Sequence, residues 1–176
     1  MPFRSDVILE VPKAYREELH TNYLMIREFS HEKSFAPEGK NILQTMVYCR
    51  ENTACEFIAL REDKEAYQAK KQRIAAMIEK IITDHFADLR GKLTCLDVWT
   101  PATYRRYVDS EIGSWMSFVF PSGRLPHKLS CEIEGLTNVV LGTQWLQAPG
   151  GLPIAAGMGR DAVYAILKKE KKGASH

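Results

Sequence analysis

Gly135-Leu-Thr-Asn-Val-Val-Leu-Gly-Thr-Gln-Trp-Leu-Gln-Ala-Pro-Gly-Gly-Leu-Pro-Ile-Ala-Ala-Gly-Met-Gly-Arg-Asp-Ala-Val-Tyr-Ala-Ile-Leu-Lys-Lys169 organises the chain. A β-branched apolar run ends at Gly142, passes through a Gly/Pro turn and enters an alanine-rich amphipathic pattern, which predicts strand, tight loop and helix. The first amides of such a helix have no partner within it, so they face the loop and can meet an anion or a polarised carbonyl. Gly150 and Gly151 remove side-chain bulk where a ligand would approach the backbone, and Pro153 suits a first helical turn because it has no N–H to leave unpaired.

Working outward, Leu93 to Trp99 reads as a strand, and Thr100 with Pro101 opens a short helix. Residues 63 to 86 carry Tyr67, Ile74, Met77, Ile78, Ile81 and Ile82 at three- and four-residue steps, opposite a basic and acidic face, so one long helix is predicted with Asp63 as its N-cap. Val7 to Val11, Tyr23 to Phe29 and Ile42 to Tyr48 read as strands, the last two joined by a long turn and the last apolar on both faces. Lys13 to His20 reads as a helical turn, Arg50 to Cys55 as a polar break, 121 to 126 as a loop and 128 to 133 as an edge strand. A strand at 93–99 reached through a helical crossover would lie parallel to 42–48. The expected class is therefore α+β: a mixed sheet covered by one long helix, plus a C-terminal strand-loop-helix lobe. Two parts follow, residues 1–134 (sheet and long helix) and 135–176 (the C-terminal unit).

The 176 residues are 45% hydrophobic and 26% charged, which is ordinary for a soluble chain with room for a core. A net charge of +2 with interleaved signs gives no basic surface of the kind that tracks phosphates, which argues against nucleic-acid binding. Cys49, Cys55, Cys95 and Cys131 lack metal-ligand spacing and are expected to be small buried hydrophobes, so no metal site is anticipated. Met1 to Asp6 is short and polar, and no apolar run could span a bilayer, so the expected compartment is cytoplasmic and reducing. The basic run Lys168 to Lys172 suits a helix C-terminus and leaves room for peripheral membrane contact. Gly157 to Ala162 fits G-x-G-x-x-A by spacing, but it falls inside the last helix instead of in a turn after a strand, so it is not read as a dinucleotide fingerprint.

Three motifs in order carry a resemblance: Ser34-Phe-Ala-Pro-Glu-Gly-Lys-Asn-Ile-Leu43, Thr100-Pro-Ala-Thr-Tyr-Arg-Arg-Tyr107, and the C-terminal unit with Gln144-Trp145, the Pro149-Gly-Gly-Leu-Pro153 turn and Gly159-Arg160. Together, over roughly residues 22 to 167, they resemble the C-terminal portion of FAD-dependent oxidoreductases of the phytoene desaturase and carotenoid isomerase type. The resemblance implies that 1–134 belongs to a substrate domain and that 135–176 is the last strand and helix of an FAD domain. It implies cofactor contacts at Gly142, Gln144, Trp145, Gly150, Gly151, Leu152 and Pro153. It further implies a hydrophobic polyene or lipid-like substrate, desaturated or isomerised by hydride transfer to flavin, with no protein nucleophile required. Pro149-Gly150-Gly151 stands where the family usually has three glycines.

Residues 1 to 34 contain no glycine-rich turn between a strand and a helix, the feature that in the family holds the ADP half of FAD. The chain alone is therefore expected neither to hold FAD tightly nor to turn over. Its partner would be the missing N-terminal FAD-binding domain or a second copy of itself. Gln144 and Trp145 fit either flavin contacts or a strand-end polar residue and its anchor. Trp115, Met116, Phe118 and Phe120 fit either a hydrophobic substrate channel or a packed core. Two rival readings remain: a non-catalytic pairing module, and a small-ligand domain that uses the helix N-terminus for an anion.

Overall fold

Leu24 and Ile26 alternate with Met25 and Arg27 along Tyr23–Glu28, and the buried members of that alternation fix which face of the sheet is covered. In the computed structural model, which describes residues 6–118, 123 and 128–173, this strand (β2) lies between β1 (Val7–Glu10) and β3 (Leu43–Met46). Both pairings are antiparallel, with Leu9 opposite Leu24 and Met25 opposite Met46. Five helices complete the α+β chain: α1 (Lys13–Leu19), α2 (Glu51–Leu60), α3 (Lys64–His85), α4 (Pro101–Val108) and α5 (Leu152–Gly173). Two compact units result, Met1–Gly113 and Ser114–His176. Residues 114–118 and 128–134, grouped from the sequence with the first part of the chain, pack with the second.

In the first unit, Leu9, Val11, Leu24 and Ile26 bury against Ile81 and Ile82 of α3. The long helix begins where Asp63 accepts a 3.0 Å hydrogen bond from the Ala66 N–H, as the sequence predicts. A second cluster joins Phe57 of α2, Tyr67 of α3 and Ala102 of α4. The Lys70 ammonium lies 4.7 Å from the centre of the Phe57 ring and is paired with Glu56, which is how a largely buried lysine is accommodated. Tyr67, 2% exposed, shares a 2.6 Å hydrogen bond with the Thr100 hydroxyl, tying α3 to the residue that precedes α4.

Several expectations need correction. The sheet is antiparallel and not mixed, because residues 93–99 enter no ladder and the crossover pairing with β3 does not form. Suitable residue types favour a strand only when a neighbouring backbone takes up their N–H and carbonyl groups. The strand read at 42–48 shortens to Leu43–Met46, with Leu43, Thr45 and Met46 half-buried and Gln44 and Tyr48 exposed. The polar break at 50–55 is the first part of α2, whose buried residues Thr53, Ala54 and Phe57 form a stripe too short to stand out by composition. Cys49, Cys55 and Cys95 are exposed instead of buried, because the elements that carry them turn those positions outward.

In the second unit, the edge strand at 128–133 and the strand ending at Gly142 reduce to isolated bridges, Lys128 with Gln147 and Glu132 with Val140. They are joined by backbone bonds of 2.7 Å from Leu129 to Leu146 and from Leu141 to Cys131. Their side chains are too exposed to form a buried layer; Leu129, Leu136, Val139 and Leu141 all face solvent. Phe120 and most of the loop read at 121–126 lie outside the described residues. Among the described residues no helix is long and apolar enough to cross a membrane.

Two measurements check this account. Tyr67→Phe leaves the Thr100 hydroxyl buried without its partner, which is expected to cost about 1–3 kcal/mol in urea denaturation. Asp97 receives hydrogen bonds from the Trp99 indole and the Val98 N–H, which hold its carboxyl below the usual range, with Lys71 adding to the effect. The stabilisation is therefore present above the unfolded pKa of about 4 and is lost as pH falls through the lower folded value. The Trp99 indole N–H resonance should titrate with a midpoint below that of a free aspartate, and Asp97→Asn should abolish the titration.

Candidate functional site

The Gly/Pro turn expected from the sequence is present and leads into α5, a helix of 22 residues. Gly150 and Gly151 have φ of +85° and +91°, a conformation that costs residues with a Cβ roughly 1–2 kcal/mol each. The Ala148-Pro149 peptide is cis. The Pro149 carbonyl accepts a 3.0 Å hydrogen bond from the Ser117 N–H. This bond draws residues 115–117 against the turn, with the Trp115 carbonyl on Gln144 and the Met116 methyl beside Gly151.

Gln144 holds this arrangement through both ends of its carboxamide. Its Oε1 accepts from the Gly151 N–H at 2.6 Å, and its Nε2 donates to the Trp115 carbonyl at 3.3 Å. A side chain from the short 3-10 turn at Gln144–Leu146 thus joins the helix entrance to the 115–118 segment. Both of its hydrogen-bonding atoms already have partners in the protein. Gly150 is likewise occupied: a Cβ there would lie 2.7 Å from the Ser117 nitrogen and 3.1 Å from Gln144 Oε1. Its missing side chain makes room for the protein's own backbone, not for a ligand.

Other positions remain open. At Gly151 an added Cβ would meet only ordinary contacts, the nearest being the Met116 methyl at 3.9 Å. Leu152 is 87% exposed, Pro153 is exposed, and Trp145 keeps part of its indole in solvent. The helical ladder begins with the Ala155 N–H donating to the Gly151 carbonyl at 2.9 Å. The amides of Leu152 and Ile154 therefore precede the ladder, and Pro153 has none to offer. Gly142 packs beside the helix, where an added Cβ would stand 3.4 Å from the Gly159 Cα. The small residues inside α5 thus serve close approach within this unit. Trp115 is half exposed, while Met116 and Phe118 are half-buried.

The Leu152 and Ile154 amides are donors of the kind that the pyrimidine edge of an isoalloxazine would require. For an adenosine diphosphate moiety the described residues provide no glycine-rich turn between a strand and a helix. Ser117 went unrecognised from the sequence, yet its N–H ties the turn to residues 115–118. Its hydroxyl is buried with no hydrogen-bond partner among the described residues. Nothing in the run Trp-Met-Ser-Phe marks it, because its role arises only where the chain folds back on Pro149. Among the described residues no group of three or more His, Cys, Asp or Glu could hold a metal ion.

These contacts rank the substitutions. Gly150→Ala meets both the backbone penalty and a clash with Ser117, whereas Gly151→Ala meets the backbone penalty alone. Gly150→Ala is expected to destabilise the second unit by more than 2 kcal/mol and Gly151→Ala by about 1–2 kcal/mol, read by hydrogen exchange at α5 amides. Gln144→Ala leaves the part-buried Gly151 amide and the exposed Trp115 carbonyl without this partner, and should cost about 1–3 kcal/mol.

No family model, curated protein or solved structure matches the chain.

Proposed function

We propose that this chain serves as the C-terminal portion of a flavin-dependent oxidoreductase acting on a hydrophobic polyene or lipid-like substrate. In this role α5 and the turn before it cover the isoalloxazine end of FAD, and a polypeptide segment outside this chain holds the ADP half. The observation that carries the reading is the bare entrance of α5, with the Leu152 and Ile154 amides open beside a turn braced by Gln144. Flavin, when bound, supplies the hydride acceptor. The chain contributes a positive dipole end aimed at the edge of the ring where negative charge accumulates on reduction. Gly151 permits close approach, Trp145 supplies a flat face, and Trp115, Met116 and Phe118 offer an apolar wall to the substrate.

The second reading, a non-catalytic pairing module derived from such an enzyme, draws support from the uncovered apolar stripe of α5. Val163, Ile166 and Leu167, at i, i+3 and i+4, are exposed on the helix that also buries Met158 and Ala162. A stripe of that kind is ordinarily covered by another surface.

The readings separate in amide NMR spectra of the chain titrated to about millimolar ligand, with flavin mononucleotide and AMP as probes. The flavin reading expects flavin mononucleotide to shift the amides of Gly151, Leu152 and Ile154 and the Trp145 indole N–H, while AMP leaves them in place. Equal shifts from both probes would reduce the site to an anion acceptor. No shift from either would remove the flavin reading and leave the pairing module.

A further inference from the structure

Residues 93–98, Leu-Thr-Cys-Leu-Asp-Val, run without helix, turn or bend, yet they join no sheet. Among the described residues none of their backbone N–H or carbonyl groups meets another backbone group. The segment is held at both ends. On one side the Lys92 N–H donates to the Leu89 carbonyl at 3.0 Å, and Leu93 packs against the sheet's core. On the other, Asp97 accepts from the Val98 N–H and the Trp99 indole, each at 2.7 Å, and Thr100 is tied to Tyr67. Its geometry is thus set before any partner arrives, which lowers the entropy cost of pairing.

Exposed strands in natural proteins usually carry guards such as proline, a bulge or an outward lysine. This one has none: its only charge, Asp97, is already engaged, and Leu96 is 79% exposed. Apart from the Val98 N–H, held by the Asp97 carboxylate, and the Asp97 carbonyl, 3.8 Å from the Cys95 Sγ, the amides and carbonyls of this unbent backbone have no partner among the described residues, and such groups are matched by the backbone of another strand.

We propose that residues 93–99 pair antiparallel with the same residues of a second copy, about a twofold axis at Leu96. The sequence is complementary to itself in that register. Leu96 lies opposite its own copy, Cys95 opposite Asp97, Thr94 opposite Val98 and Leu93 opposite Trp99, so no like charges face each other. Such a contact is isologous and closes at two chains. The interface is small, so the dimer forms at micromolar concentrations or above and dissociates on dilution. This inference does not depend on flavin binding.

Sedimentation velocity from about 1 µM to about 1 mM tests it. The unaltered chain should move from one-chain to two-chain mass across the range. Leu96→Lys and Leu96→Glu each set two like charges face to face and should remain single chains, with unchanged far-UV circular dichroism. An equimolar mixture of the two variants should recover the two-chain species, a result specific to a residue that faces its own copy. A single-chain mass for the unaltered protein throughout, variants that pair as it does, or a mixture that stays apart would each overturn the proposal.

Discussion

The carboxamide of Gln144 is the constraint on which the arrangement of the C-terminal unit depends. One end fixes the Gly151 amide and the other the Trp115 carbonyl, so the helix entrance, the left-handed glycine turn and the aromatic segment share one anchor. Each bond contributes only about 1 kcal/mol net, but loss of the partner leaves the part-buried Gly151 amide unsatisfied, which costs more. The turn therefore has little freedom to relax. A rigid entrance with open amides suits a site that must present donors in a fixed direction.

The first unit is organised differently. Its sheet and long helix are joined by apolar contact among Leu9, Leu24, Ile26, Ile81 and Ile82, and the buried link of Tyr67 with Thr100 positions α4 within the second cluster. Burial of this kind is non-directional, so it tolerates an incomplete sheet. The Leu93–Trp99 segment can thus be anchored by one leucine and one aspartate without joining a ladder.

Much of this was legible in the sequence where local chemistry decides the outcome. The apolar spacing from Tyr67 to Ile82, the Asp63 cap, the Thr100-Pro101 start and the glycine turn before α5 depend on neighbours within a few residues, and each is where its pattern predicts. The failures arise where a distant partner decides. Residues 93–99 have strand-forming side chains but no adjacent ladder, and residues 135–141 lack the buried face that would hold a full strand. Ser117 and the double role of Gln144 were invisible for the same reason: their significance comes from a fold-back that joins positions about thirty residues apart. A glycine at position 150 signals close approach and so suggests an opening for a ligand, whereas the approaching group is the chain's own Ser117 backbone.

The polar fastenings of α5 carry one more consequence. Among the described residues the second unit buries only Leu146, Met158 and Ala162 as apolar side chains, and its helix is otherwise secured by Lys128 to Asp161 and by Lys169 to Glu132 and the Thr137 carbonyl. Exposed ion pairs weaken as the Debye length contracts, from about 10 Å at 0.1 M ionic strength to about 3 Å at 1 M. Concentrated electrolyte therefore loosens α5 from its bed and leaves the oily interior of the first unit intact, so the two halves of this polypeptide differ in their tolerance of brine.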